Sequence, residues 1–315
     1  MPEPGGAGRK RQRRERPMAT AMTPRWLAAA ILCAALATLV HGGLGHAQAP
    51  GAAAPDSPDL SIELIDPKVL RVCADPHNMP FSNEGGEGFE NKIAELVAKK
   101  LDKSIAYTWY PQSVGFFRNT LNAHRCDLVM GFPQGGDLAQ ATNPYYRTTY
   151  ALVSRPGSGL GGVDTLSDPR LKDKRIGVVA GTPPATYFAK YGLLAKTKGY
   201  PLVVDTRVDS SGEAMIKDLA AGEIDAGVLW GPMAGYQTRR LAGDATLVPL
   251  LKETGGPRLD YRIGMGVRAA DQEWKRQLNR LIQENQGEIN GVLMSYGVPL
   301  LDDNNGPITA SPPMK

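Results

Sequence analysis

Along most of the chain from residue 68 to 300, short apolar runs alternate with stretches where apolar residues recur at three- and four-residue spacing. Val69–Ala74 reads as a strand, and from Glu90 to Leu101 the residues Ile93, Leu96, Val97 and Leu101 share one helical face. Ile105–Tyr110 predicts a second strand, Val114, Phe117 and Leu121 a second helix, and Leu128–Phe132 a third strand. Strands separated by helices in this order imply parallel pairing with right-handed crossovers. The pattern then recurs. Lys174–Ala180 parallels Lys68–Ala74, Pro201–Val204 predicts a strand, Glu213–Ala221 a helix and Ala226–Leu229 a strand. The junctions Leu121–Gly131 and Leu219–Gly231 each hold Leu-x-Ala, a short turn, and an Asp leading an apolar strand to a glycine. Repetition of this kind implies two homologous lobes. Arg147–Ser154 and Tyr261–Val267 would connect them, and helices within Asp271–Tyr296 would return to the first. The predicted fold is α/β: two lobes, each with a mainly parallel sheet, joined by two crossover strands. The carboxyl ends of the strands face a shared cleft.

The start of the chain is patterned differently. Arg9, Lys10, Arg11, Arg13, Arg14, Arg16 and Arg25 precede an apolar run from Trp26 to Val40, and Gly42, Gly43, Gly45, Ala47 and Ala49 follow it. Positive charge, apolar core and small residues in that order make a secretory leader. The run falls short of the ~20 residues that a membrane-spanning helix needs, and no span is expected after leader removal. Cleavage is expected after Ala47 or Ala49, with Ala47 favoured because Pro50 directly follows the second position.

Export changes the charge and the cysteine chemistry. Residues 1–47 hold seven Lys/Arg and two Asp/Glu, so the 36 basic and 32 acidic residues of the whole chain become 29 and 30. The net charge falls from +4 to −1, and no nucleic-acid footprint remains. Cys33 leaves with the leader. Cys73 and Cys126 stay, and an even pair in an oxidising compartment predicts a disulfide, with two buried thiols as the alternative. The predicted limits are a signal peptide over 1–47, a linker over 48–67, a first lobe of 68–150 plus 265–302, a second lobe of 151–264, and a flexible tail over 303–315.

The segments LRVCADPHNMPFS, GFENKIAELVAKKL, NPYYRTTY, RIGVVAGTPPATY and GEIDAGVLWGP resemble type II periplasmic solute-binding proteins, particularly the amino-acid-binding cluster. The resemblance covers residues 68–300 and implies a periplasmic binding protein-like type II fold. Amino-acid receptors of this kind hold the ligand carboxylate with an Arg ahead of the Pro-Tyr motif, and the ammonium with an Asp just after the second-lobe strand. Here the first stretch, GFPQGGDLAQATNPYY, has no Arg, and Trp230-Gly231 occupies the second place. A buried charge without its partner is costly, so a free amino acid is not the expected ligand. The segments CADPHNMPFSNEGGEGFENKIAELVA, TWYPQ, FFRNTLNAHRCDLVMG, PYYRTTYALV and WGPMAGY are similar to a narrower group. These are the binding-protein-like partners of quinoprotein (PQQ) alcohol dehydrogenases, including the J components of methanol oxidation clusters, MxaJ and XoxJ. Membership would imply a periplasmic accessory protein that associates with a PQQ alcohol dehydrogenase and its c-type cytochrome.

Candidate cleft residues follow from strand ends. Asp75, Asn78, Phe81 and Ser82 lie on the loop after the first strand, where Asp and Asn also simply favour turns. Trp109, Tyr110, Phe132, Tyr145, Tyr146, Trp230 and Tyr236 form an aromatic set suited to a binding surface, although aromatics are more often core. Trp230 leads it, standing where the resembled receptors place a ligand group. Thr182 opens a helix after a strand and is the expected N-cap, with free N–H groups suited to an anion. Arg147 beside the crossover is a candidate for a carboxylate, or for pairing within the hinge.

His77 and His124 are far apart and lack metal-ligand spacing, and Asp302-Asp303-Asn304-Asn305 lacks the distal Glu of a calcium loop. No nucleophile motif, phosphate loop or dinucleotide fingerprint is present, so no catalytic residue, metal or cofactor is expected. The competing readings are a solute receptor of an ABC importer, binding a small molecule other than a standard amino acid, and an enzyme on this fold. The enzyme would need a buried acid, with Asp75 or Glu87 as its candidates.

Overall fold

The computed structural model describes residues 63–241 and 245–309. The predicted leader, most of the predicted linker and the end of the tail lie outside that range. Strand β1 (Val69–Ala74) leads into a hairpin of β2 (His77–Asn78) and β3 (Ser82–Asn83), then α1 (Phe89–Lys100), β4 (Ser104–Trp109), α2 (Phe116–Asn119), β5 (Leu128–Pro133) and β6 (Gln140–Ala141). The long β7 (Tyr146–Ser154) is followed by β8 (Ile176–Val179), α3 (Pro183–Lys190), β9 (Thr197–Tyr200), α4 (Ser211–Ala220), β10 (Ala226–Trp230), α5 (Gly231–Thr238) and β11 (Thr246–Pro249). Then come β12 (Asp260–Val267), α6 (Gln272–Glu284) and α7 (Gln286–Ser295).

The main sheet runs β4-β1-β5-β12-β7-β10-β8-β9. In the first lobe β4, β1 and β5 pair in parallel; in the second β9, β8 and β10 do the same. The crossovers run antiparallel to these and to each other. β7 pairs its first residues with β12 and its later ones with β10 and β11, so this one strand passes from lobe to lobe. Each lobe keeps its own core. Leu70, Phe89, Ile93, Leu128, Trp274 and Leu278 belong to the first, and Leu152, Ile176, Tyr187, Phe188 and Val228 to a cluster of the second.

The repeat is physical, in a shifted register. Val72 pairs with Leu128 as Ile176 pairs with Ala226, so the equivalent of Arg71 is Arg175, and the lysines at 68 and 174 do not correspond. The leading Asp of each junction is held alike: Asp127 N–H donates to the Arg71 carbonyl at 2.9 Å, and Asp225 N–H to the Arg175 carbonyl at 2.8 Å. Both carboxylates meet arginine, Asp127 with Arg268 at 2.8 Å, and Asp225 with Arg175 at 2.9 Å and Arg155 at 3.1 Å. Those arginines hold the Asp225 carboxyl well below the usual range.

Two expected elements differ. The strand expected at Pro201–Val204 is Thr197–Tyr200, because Pro201 has no N–H to continue the ladder. The apolar Leu202 and Val203 that suggested it are 57% and 64% exposed. The second helix is shorter than expected and excludes Val114. Gly115 takes a left-handed conformation (φ 89°) that no helix can pass through, and Val114 stands 87% exposed. No helix among the described residues is long and apolar enough to cross a membrane.

Candidate functional site: an aromatic cleft between the lobes

A cavity of about 1060 Å³ opens where the two sets of strand ends face each other, at the upper end of the range for small-molecule pockets. The first lobe contributes His77, Asn78, Gln112, Val114 and Gly131, and the crossovers contribute Tyr150, Tyr261 and Ile263. From the second come Val179, Thr182, Trp230, Met233 and much of the strap Leu202–Ser211.

Trp230 forms the aromatic floor with the crossover tyrosines. Its ring meets Tyr150 edge-on at 5.2 Å and Tyr261 at 5.6 Å. Gly231 makes this placement possible. A Cβ there would lie 2.4 Å from the Thr149 carbonyl oxygen, so the start of α5 approaches β7 more closely than any side chain permits. Burial pushes the Tyr150 hydroxyl well above its ordinary pKa, so the floor is uncharged. The charged side chains of the wall lie on or near the strap: Arg207, Asp209, Glu213 and Lys217. Arg207 is already paired with Asp205 at 2.6 Å. No group of three or more His, Cys, Asp or Glu among the described residues is placed to hold a metal.

Of the residues singled out from sequence, Asn78, Thr182 and Trp230 line the cavity. Asn78 donates to the Gln112 side chain at 3.0 Å. Thr182 sits at the N-cap position of α3, yet its hydroxyl donates back to the Val179 carbonyl at 2.6 Å and leaves the helix amides uncapped. Asp75 lies at the cleft but is 2% exposed, its carboxylate accepting from the backbone amides of His77 at 2.9 Å and Gln112 at 2.6 Å. Ser82 is buried beneath it and donates to the Asp75 carbonyl at 2.8 Å.

The other candidates lie elsewhere. Phe81 packs on Phe89 at 5.3 Å, and Trp109 stacks on Tyr107 at 4.6 Å. Tyr145 is wholly buried in the first core, where its hydroxyl accepts from the Gly131 amide at 3.1 Å, and Tyr146 lies beside it. Phe132 packs against Phe117 at 5.2 Å. Tyr236 stacks on Tyr296 at 6.3 Å, beyond the cavity wall. Arg147 lies on the crossover strand β7 and pairs with Asp260 of β12. Its Nε lies 3.1 Å from Asp260, and its Nη1 donates to the carbonyls of Asp302 and Asp303 at 3.3 and 3.1 Å. Cys73 and Cys126 are joined in a disulfide, which resolves the choice left open by the sequence.

The aromatic set expected from sequence omitted Tyr150 and Tyr261, and the acid candidates omitted Glu90. Its carboxyl is buried in the first turn of α1 behind Gly131, where burial, and then the charge of Asp75, push its pKa up to about 8. The signal was present: Glu90 is in helical phase with Ile93, Ala94 and Val97, all on the buried face.

No family model matches the chain. It is 42% identical to the periplasmic binding protein XoxJ from Methylobacterium extorquens AM1, with a TM-score of 0.64, covering 74% of this chain and 100% of that one. MxaJ from Methlophaga aminisulfidivorans MPT is 24% identical at the same TM-score of 0.64, over 74% of this chain and 100% of that one. Protein MoxJ of Methylorubrum extorquens is 27% identical over 256 residues, 76% of this chain and 84% of that one.

Proposed function

The chain belongs to the XoxJ family of periplasmic binding proteins, and on that premise we propose that it works in the periplasm as an accessory partner of a PQQ-dependent alcohol (methanol) dehydrogenase and its c-type cytochrome. The observation that carries this reading is the cleft floor of Trp230, Tyr150 and Tyr261, which offers aromatic surface where an amino-acid receptor needs paired charges. Such a surface suits an apolar patch on another protein, because aromatic side chains supply large contact area at small entropic cost. On this reading the protein binds and performs no covalent step.

The test is capture of partners by the mature chain from periplasmic extract, scored for a PQQ dehydrogenase and its cytochrome. Co-purification of both supports the reading. If neither is captured, and a thermal-shift screen of small molecules finds a stabilising solute, the chain is instead a receptor delivering that solute to an importer.

A further inference from the structure

Asp75 and Thr206 stand 131 positions apart, one in each lobe. The Thr206 hydroxyl lies 3.1 Å from one carboxylate oxygen of Asp75 and 3.0 Å from the other. On the first-lobe side the acceptor is set in place, since two backbone amides hold its carboxylate and it is 2% exposed. On the second-lobe side the donor is presented by a strap. From Pro201 to Asp209 most residues are exposed, and Thr206 is among the few turned inward. The strap is folded on itself by the Asp205–Arg207 ion pair and by the Val208 and Asp209 amides, both donating to the Asp205 carbonyl. The hinge is tied as well. The Thr148 hydroxyl of β7 donates to the Pro299 carbonyl at 2.7 Å, and the Leu301 amide donates to the Arg147 carbonyl at 2.9 Å.

We infer that Thr206 and Asp75 form a latch, built from the chain's own groups, that holds the two lobes closed over the aromatic floor. A hydrogen bond to a buried carboxylate is stronger than one between neutral groups, and this one spans the cleft mouth. Closure therefore does not depend on a bound solute. A protein client too large for the cavity reaches the Trp230 floor only if the strap lifts, and it must then displace Thr206 from Asp75.

The test is a distance across the cleft. Lys92 on α1 and Lys172 ahead of β8 are exposed, and spin labels on Lys92→Cys and Lys172→Cys in the mature chain report lobe separation by pulsed dipolar spectroscopy. Thr206→Val is expected to move the distribution outward by several ångström and broaden it, while Thr206→Ser keeps the parent distribution. Acrylamide quenching of tryptophan emission should rise in the valine variant alone. An unchanged distribution in folded Thr206→Val overturns the latch. Should the valine variant fail to fold, Thr206→Ala removes the hydroxyl without the bulk of a branched side chain, and the same two outcomes decide the matter.

Discussion

The Glu90 carboxyl packs directly against Gly131, with one oxygen 2.2 Å from where a Cβ on Gly131 would stand. Gly131 also has φ 68°, a conformation costly for any residue with a side chain. Gly131→Ala therefore meets both backbone strain and a collision with a buried acid. Urea denaturation should show a loss of about 2–4 kcal/mol. Glu90→Ala in the same chain should recover the part due to the collision and leave the part due to strain. Strict additivity of the two substitutions would show that the contact is not felt.

The same burial makes stability depend on pH. In the fold Glu90 titrates at about 8, against 4.5 as the ordinary value. The folded state thus holds this proton more tightly than the unfolded chain. The contribution is complete below the unfolded value and is lost as pH rises toward the folded one. Between about pH 5 and 7.5 a single such group costs up to ~1.4 kcal/mol per pH unit. Glu90→Gln keeps the shape of the neutral acid and does not titrate. Its denaturation midpoint should fall less steeply over that window than the parent's, leaving the variant more stable at the alkaline end. Parallel slopes would show that Glu90 ionises near its ordinary pKa.

Where burial followed chain periodicity, the sequence was readable. β1 and α1 bury the faces that their apolar spacing marks. Leu202 and Val203 misled because their apolar side chains line a cavity mouth and not a core. Tyr145, Phe132 and Trp230 all lie at strand ends or beside them, and only the packing of the lobes decides that the first two are core and the third is floor. Thr206 carried no local signal at all, since its partner lies in the other lobe. Glu90 was readable in phase, but an acid in the first turn of a helix also complements the helix dipole, and that exposed role is the commoner one.

The disulfide lies close to one rim of the cleft. Cys73 and Cys126 pack with Phe116, Leu121 and Val129 beneath Tyr110 and Phe117, and the segment from Gln112 to Val114, which lines the cavity, runs between Tyr110 and Phe116 of that cluster. The bridge joins residues 53 apart in sequence. Replacing both cysteines with alanine should lower stability by about 2–5 kcal/mol. Hydrogen exchange should speed up most over residues 110–124, and least in α3 of the other lobe. A uniform increase would mean that the bridge stabilises the chain globally without holding the rim.

Trp230 and Tyr236 separate a cleft interface from one on the outer face of α5. Trp230 is half-buried on the cavity floor. Tyr236, six residues on, stacks on Tyr296 and lies under Arg240 at 5.2 Å, beyond the wall. If the proposed client, a PQQ dehydrogenase, binds and does so in the cleft, Trp230→Ala should weaken its binding by about thirty-fold or more, the loss typical of a central aromatic anchor. Tyr236→Ala should lower the melting temperature and leave affinity within about two-fold, as expected of a residue outside the contact. Titration calorimetry with a purified PQQ dehydrogenase measures both. The reverse order, with Tyr236→Ala the more damaging, would move the docking face to α5 and leave the aromatic floor to a small ligand.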